Sequence, residues 1–317
     1  MMNYRKFIST AILAGFLFVN SVQIFAFNDG GQRPPATPSF DFDGDGRADI
    51  SVVRGDGISK FWYLINSQTN TFFGQQYGSD LDKLAPADYD GDRRTDLAVF
   101  RSGVWYILQS TTNTIRAVQF GIAGDRLVPG DYDGDGKADQ AVFRSGFWYI
   151  LNSSNNSFRA EQFGLANDRT VLGDFDGDFR QDLAVYRNGD WFIKQSSNDQ
   201  FRAVKFGGLT FDFPIPADYD GDGKTDIAVR RSADWYILQS SNGNFRAFTF
   251  GLADDISVPA DYDGDRRAEI ALFRRSNGFW YTLNTANNNF NAVKFGNLFD
   301  TPIPGIYQPG VTLGPTD

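Results

Sequence analysis

Six acidic nonapeptides carry the residue types and spacing that could do chemistry. They begin at Asp41 (DFDGDGRAD), Asp88 (DYDGDRRTD), Asp131 (DYDGDGKAD), Asp174 (DFDGDFRQD), Asp218 (DYDGDGKTD) and Asp261 (DYDGDRRAE). Carboxylates at positions 1, 3 and 5 fall on one side of a tight turn, the position-7 carbonyl turns inward, and position 9 adds a fourth carboxylate. Such an all-oxygen cage suits Ca²⁺ at about 2.3–2.6 Å, whereas Mg²⁺ takes fewer protein ligands and keeps more water. The expected ligand sets are Asp41, Asp43, Asp45, Arg47 and Asp49; Asp88, Asp90, Asp92, Arg94 and Asp96; and Asp131, Asp133, Asp135, Lys137 and Asp139. The other three are Asp174, Asp176, Asp178, Arg180 and Asp182; Asp218, Asp220, Asp222, Lys224 and Asp226; and Asp261, Asp263, Asp265, Arg267 and Glu269. The basic residue of each set contributes only its carbonyl. An EF-hand would place a bidentate Glu at position 12, where this chain has Val52 and Val99, so the motif is a different one.

Asp and Gly are also ordinary turn residues, so six solvated turns is the competing interpretation. Charge argues against it. The loops hold 24 of the 39 acidic residues, and four carboxylates in one turn repel unless a cation neutralises them. Gly recurs at position 4 of every loop, but position 6 alternates: Gly46, Gly136 and Gly223 in the odd loops, Arg93, Phe179 and Arg266 in the even ones. If position 6 needs positive φ, the even loops are strained and bind more weakly. Calcium is expected to be structural. With a Kd of about 10⁻⁴ M in about 1 mM calcium each site contributes roughly 1.4 kcal/mol.

Composition removes other chemistries. The chain of 317 residues has no Cys and no His, which excludes thiolate metal sites, disulfides, imidazole acid–base pairs and a Ser-His-Asp triad. Its net charge of −9 gives a nucleic-acid partner no electrostatic support.

The elements that position the loops follow from repetition. Loop starts are separated by 47, 43, 43, 44 and 43 residues. After each loop come an alternating apolar run, a short turn, a Trp-aromatic pair (Trp62-Tyr63 through Trp280-Tyr281), a Ser/Asn-rich turn and a segment ending in an aromatic-Gly pair such as Phe120-Gly121. Four short strands of the types VPADY, IAVFR, WYILQ and RAVKF, apolar on both faces, describe a propeller blade. The fold class is therefore all-β, a six-bladed β-propeller of four-stranded blades with calcium-binding loops; seven blades is the alternative. The segment TPIPGIY at 301–307 opens a seventh repeat without its acidic loop. Its first strand could complete the N-terminal blade, and TPSF before Asp41 competes for the same place.

The acidic loop running into a strand, with an FG pair ahead of it, resembles the FG-GAP (VCBS-type) repeats of the integrin α-subunit N-terminal propeller, across residues 37–307. The GAP element is replaced by AVFR or similar. The resemblance implies a propeller whose Asp41, Asp43, Asp45 and Asp49, with their counterparts, bind calcium. Integrin propellers have seven repeats and bind partners with help from other domains, so an integrin-like ligand does not carry over to six repeats alone.

Two further positions recur. Arg54, Arg101, Arg144, Arg187, Arg231 and Arg274 lie 13 residues after each loop start, and Asp82, Asp125, Asp168, Asp212, Asp255 and Asp300 lie six before the next, or, for Asp300, six before Ile306. Counted from the loop, each pair should meet across neighbouring strands as a structural ion pair. The six Trp are expected to pack between blades, with a sugar-stacking platform as the alternative.

Residues 1–26 have the form of an export signal, with Arg5 and Lys6 before an apolar run and Ala26 at the cleavage position. Its removal deletes two positive charges and no negative ones, taking −9 to −11. Residues 27–36 form a flexible lead-in, 37–307 the propeller and 308–317 a tail. The expectation is a secreted or cell-surface monomer without a membrane span after cleavage. It would act as a non-catalytic binding or adhesion module for a protein or glycan. A lectin-like binder is the alternative, and a polysaccharide-degrading enzyme comes third, because no singular acid pair stands outside the loops. The turns opposite the calcium loops vary most and are the expected recognition surface.

Overall fold

The computed structural model describes residues 39–307. The export signal, the lead-in and the tail expected at 1–26, 27–36 and 308–317 lie outside the described residues. In the first repeat the apolar runs fold as β1 (Ile50–Gly55), β2 (Ser59–Ile65) and β3 (Phe72–Ser79). The second contributes β4 (Lys83–Leu84), β5 (Leu97–Arg101), β6 (Val104–Leu108) and β7 (Ile115–Gln119). Later repeats copy β4 to β7, giving six four-stranded antiparallel sheets. Among the described residues there is no α-helix and one 3₁₀ turn, Ile303–Gly305.

Burial follows position in the blade. β5 is buried along Leu97–Phe100, β6 alternates, and β7 is largely exposed at the outer edge. A strand buried on both faces must be covered by neighbours on each side, and the core is built that way. Trp105 and Ile107 of the second blade pack with Ala138 and Val142 of the third. Trp62 packs with Leu97 and Val99, and the last interface joins Trp280 and Phe273 to Val52 of the first blade. Six interfaces close a ring of six blades; the seven-bladed alternative is excluded.

The closing strand is C-terminal. Thr301–Pro302 pairs with β1 in the register Val52↔Pro302 and Val53↔Thr301. Asp300 receives Nε and Nη2 of Arg54 at 2.6 and 2.9 Å across the join. Ser39 and Phe40, the described part of the competing TPSF segment, form no strand; Phe40 instead stacks on Tyr307 at 6.3 Å.

The recurrent aromatic residues are structural. All six Trp are buried. Each indole donates to the carbonyl of its own aromatic-Gly pair, as in Trp105 Nε1 to Phe120 O at 2.8 Å. The Gly of that pair is required twice over. Gly78 has φ +95°, and a Cβ there would meet Val99 of the next blade at 2.9 Å.

Candidate metal centre

In the second to sixth repeats the acidic loop connects the short first strand of a blade to the buried second strand, and in the first it leads from Phe40 into β1, so the turn closes over a rigid base. Position 1 organises it. In the first loop the Asp41 carboxylate accepts from Gly44 N at 2.6 Å and Gly46 N at 2.7 Å, pulling the chain into a tight coil. Position 9 ties the coil to its surroundings: Asp96 accepts from Tyr89 N at 2.9 Å and from Ser110 N, in the turn before the outer strand, at 2.7 Å. Asp49, Asp139, Asp182 and Asp226 repeat that double contact.

The arrangement brings carboxylate oxygens within 4.8 Å of one another in Asp41/Asp43/Asp45, Asp88/Asp90/Asp96, Asp131/Asp133/Asp139, Asp174/Asp176/Asp182 and Asp218/Asp220/Asp226. The shared core is therefore positions 1 and 3, joined by 9 in four loops and by 5 in the first. Position-5 carboxylates also accept from turn hydroxyls: Asp45 from Ser67 Oγ and Asp92 from Ser110 Oγ at 2.9 Å, Asp178 from Ser196 Oγ at 2.8 Å, and Asp135 and Asp222 from Ser153 and Ser240 at 2.9 Å.

These clusters could hold a metal ion, and three features fit one. Every donor is a carboxylate oxygen, the preference of a hard divalent cation. Oδ1 of Asp133 and of Asp176 is buried with no hydrogen-bond partner, although the other oxygen of each is held by Ser154 and Ser197. Burial, reinforced by the neighbouring carboxylates and opposed by backbone N–H groups, pushes the carboxyls upward. Asp41, Asp88, Asp174 and Asp218 rise to about 6, and Asp49, Asp96, Asp139, Asp182 and Asp226 to about 7. Asp131 and Asp261 are raised for the same reason.

The sixth loop differs. Asn284 Nδ2 donates to Asp263 at 2.6 Å, Asp265 at 3.0 Å and Glu269 at 3.2 Å, so an amide sits among its acids. Glu269 is pushed up to about 8, burial again being the main cause. The Glu at position 9 is the sequence signal for this departure; the role of Asn284 is not readable, because Asn66 and Asn152 occupy the same place in other blades.

The loops also join one another. The N–H at position 8 donates to the position-1 carbonyl of the preceding loop at 2.6 Å in all six cases: Thr95 to Asp41, Ala138 to Asp88, Gln181 to Asp131, Thr225 to Asp174, Ala268 to Asp218, and Ala48 to Asp261 across the closure. Position-7 side chains cross the same boundary. Arg94, Lys137, Lys224, Arg267 and Arg47 lie against the position-4 glycines of the preceding loops, Gly44, Gly91, Gly177, Gly221 and Gly264. Arg47 and Arg180 also donate Nε to Asp45 and Asp178 of their own loops at 2.8 Å. Position 6 has positive φ throughout: +70°, +64° and +69° at Arg93, Phe179 and Arg266, and +87°, +84° and +84° at Gly46, Gly136 and Gly223.

On the opposite face the predicted ion pairs form in every blade. Arg144 donates Nε and Nη2 to Asp125 at 2.5 and 2.7 Å, and the aspartate also accepts from Ile122 N at 2.8 Å. The aspartate side chains are buried, so the array is a set of internal braces. Beside it the turns expose Leu81, Ile122, Leu165, Leu209, Phe211, Leu252, Leu298 and Phe299.

Residues 41–99 and 218–272 match the family of FG-GAP-like repeats. No curated protein matches the chain. Among solved structures the chain is similar to an Agrocybe aegerita lectin described as specifically recognising non-reducing terminal N-acetylglucosamine, at 17% identity and a TM-score of 0.54 over 83% of each chain. It is also similar to a streptogramin B lyase, at 7% identity and a TM-score of 0.49 over 81% of this chain and 86% of that one. At such identities the likeness concerns the fold alone.

Proposed function

The chain is a six-bladed propeller of FG-GAP-like repeats, and from that premise we propose that it is a secreted or cell-surface binding module, non-catalytic, whose ring of acidic loops is held by calcium. The carrying observation is the closed circuit of loops. Each cluster of carboxylates is bonded through its backbone to the next, so a cation that relaxes repulsion in one loop also firms two blade interfaces. Asp and the position-7 carbonyl would hold the ion, and calcium would supply charge neutralisation. The raised carboxyls and the unpartnered oxygens of Asp133 and Asp176 support a cation there.

The non-catalytic reading draws support from a charged cluster that departs from the repeat. Glu161 and Asp199 both contact Lys194, so the two acids are tied to one ammonium rather than standing as a free pair. Secretion rests on the signal-like character of residues 1–26. Thermal unfolding of the purified full chain in calcium and after chelation, with bound metal counted by elemental analysis, tests the calcium part of the reading. Unchanged melting and no bound metal would refute that part.

A carbohydrate ligand is the second reading. The observation favouring it is a row of exposed aromatic side chains between blades. The fold shared with the Agrocybe aegerita lectin is compatible with it.

A further inference from the structure

The tryptophans are too buried to meet a ligand, but a different set of rings reaches solvent at the blade boundaries. The outermost strands of five blades begin with Phe72, Phe158, Phe201, Phe245 and Phe290, each 59–65% exposed. In the boundary between the fourth and fifth blades Phe245 stacks on Tyr236 of its own blade, with centroids 6.1 Å apart, and lies 6.2 Å from Phe206 of the preceding blade. The same pair of contacts recurs at Phe72, Phe158, Phe201 and Phe290. The second blade has Ile115 in that place.

Between these rings lies a groove of about 220 Å³ lined by Phe206, Gly207, Val229, Arg231, Tyr236 and Phe245. Arg231 gives Nε and Nη2 to Asp212 at 2.7 and 3.1 Å and lies over the Tyr236 ring at 4.9 Å. Its remaining nitrogen, Nη1, is the donor left for a ligand. The site is thus a pair of apolar ring faces around one fixed cationic donor, smaller than pockets for drug-sized ligands. A pyranose ring has matching parts, a C–H face for the aromatic wall and hydroxyl oxygens for the guanidinium.

Repetition narrows the ligand further. The ring contacts recur at four further boundaries, where Arg54, Arg144, Arg187 and Arg274 lie over Tyr63, Tyr149, Phe192 and Tyr281. A shallow single-ring site binds weakly alone, and such elements repeated on one rigid rim gain by avidity when the ligand also repeats. Nucleic acid is also a repeating polymer, but a chain of net charge −9 that five calcium ions bring only to about +1 offers it little electrostatic attraction. We infer that the inter-blade grooves are sugar sites and that the ligand is a glycan presenting many copies of one ring; this rests on the binding-module reading above.

The test uses the calcium-loaded full chain on an array of hexose, N-acetylhexosamine, deoxyhexose and uronic-acid oligosaccharides, followed by calorimetric titration with the best polysaccharide. Wild type should bind, Phe245→Ala should weaken polymer binding by about 2- to 5-fold, and replacing all five phenylalanines by Ala should weaken it by about 100-fold or more. Melting temperature is measured on each variant, and the single substitution keeps the test decisive if the fivefold one unfolds. No array binding by a folded, cation-loaded chain would overturn the inference while leaving the module reading intact. So would glycan or protein binding that survives the fivefold substitution. Glycan binding that needs Phe245 but is indifferent to chelation would sustain these sites and remove calcium instead.

Discussion

Both ends of each blade come from the same repeat, yet they tolerate change differently. At the acidic end the loop is nine residues long in all six copies, and it links to the next blade through main-chain atoms, N–H to carbonyl. At the opposite end the link runs from a side chain to a carbonyl, and its donor wanders. Lys83, Arg126 and Arg169 reach the carbonyls of Asp125, Asp168 and Asp212 from the short strands. Where Phe213 and Ile256 replace that basic residue, Arg230 of a second strand and Arg275 of a turn reach Asp255 and Asp300. A backbone link fixes loop length in every copy. A side-chain link fixes only that some long donor is near, which leaves the neighbouring turns free to vary and to expose residues such as Leu81, Phe211 and Phe299.

Removing the cation attacks the uniform end everywhere at once and should have the largest effect. Five ordinary sites at roughly 1.4 kcal/mol each amount to about 7 kcal/mol at about 1 mM calcium. Chelation should lower the melting temperature by about 10–20 °C, read by circular dichroism. A single brace at the other end matters less. Asp300→Asn leaves Arg54, itself partly exposed, without its charge partner at the ring closure and should cost about 1.5–2 kcal/mol in a denaturant titration. Arg275→Ala, at the wandering link, should cost less than that.

Acid should separate the two cation states by sign. In the metal-free chain Asp49, Asp96, Asp139, Asp182 and Asp226 titrate near 7 when folded, against 3.8 for the ordinary carboxyl. Over that interval the folded state binds more protons, so its stability is greatest at the acid end and declines as pH rises through 7. The calcium-loaded chain should slope the other way, because protons displace the ion. Melting curves at pH 5 and pH 7.5, with calcium and with chelator, should therefore cross. Parallel trends would mean that the acids do not share a cation.

Much of this architecture was legible because each feature repeats in register. Loop spacing identifies the blades, and counting from the loops pairs Arg144 with Asp125 from the sequence alone. The closure was harder, since TPSF and TPIPGIY both suit a short first strand; only the pairing of Thr301–Pro302 with β1 decides. The bonds between loops were not readable, because they join main-chain atoms of different blades and leave no side-chain signature. Asn284 was missed for a related reason: one longer acid, Glu269, changes what the same Asn does.

That one-methylene difference gives a smaller effect with an integral readout. Asn284 Nδ2 donates to three acids of the sixth loop, so elemental analysis should find five calcium ions per chain. Glu269→Asp restores the side-chain length of the other loops and should raise the count to six, adding about 1.4 kcal/mol in about 1 mM calcium. Six ions in the unaltered chain would show that the amide yields its place.

The smallest effect tests the backbone of the uniform end. Position 6 is left-handed whether it holds Gly or not, with φ +70° at Arg93 and +84° at Gly136. An L side chain there costs roughly 1–2 kcal/mol, and glycine returns part of that through the freedom of the unfolded chain. Arg93→Gly should therefore stabilise by about 0.5–1 kcal/mol, and Gly136→Ala should destabilise by a similar amount, in calcium and in chelator alike. If Arg93→Gly instead acts only in calcium, then the ion imposes the left-handed turn and the empty loop relaxes. Equal effects in both conditions would mean that the bonds from Asp88 to Gly91 N and Arg93 N already set the coil before any cation arrives.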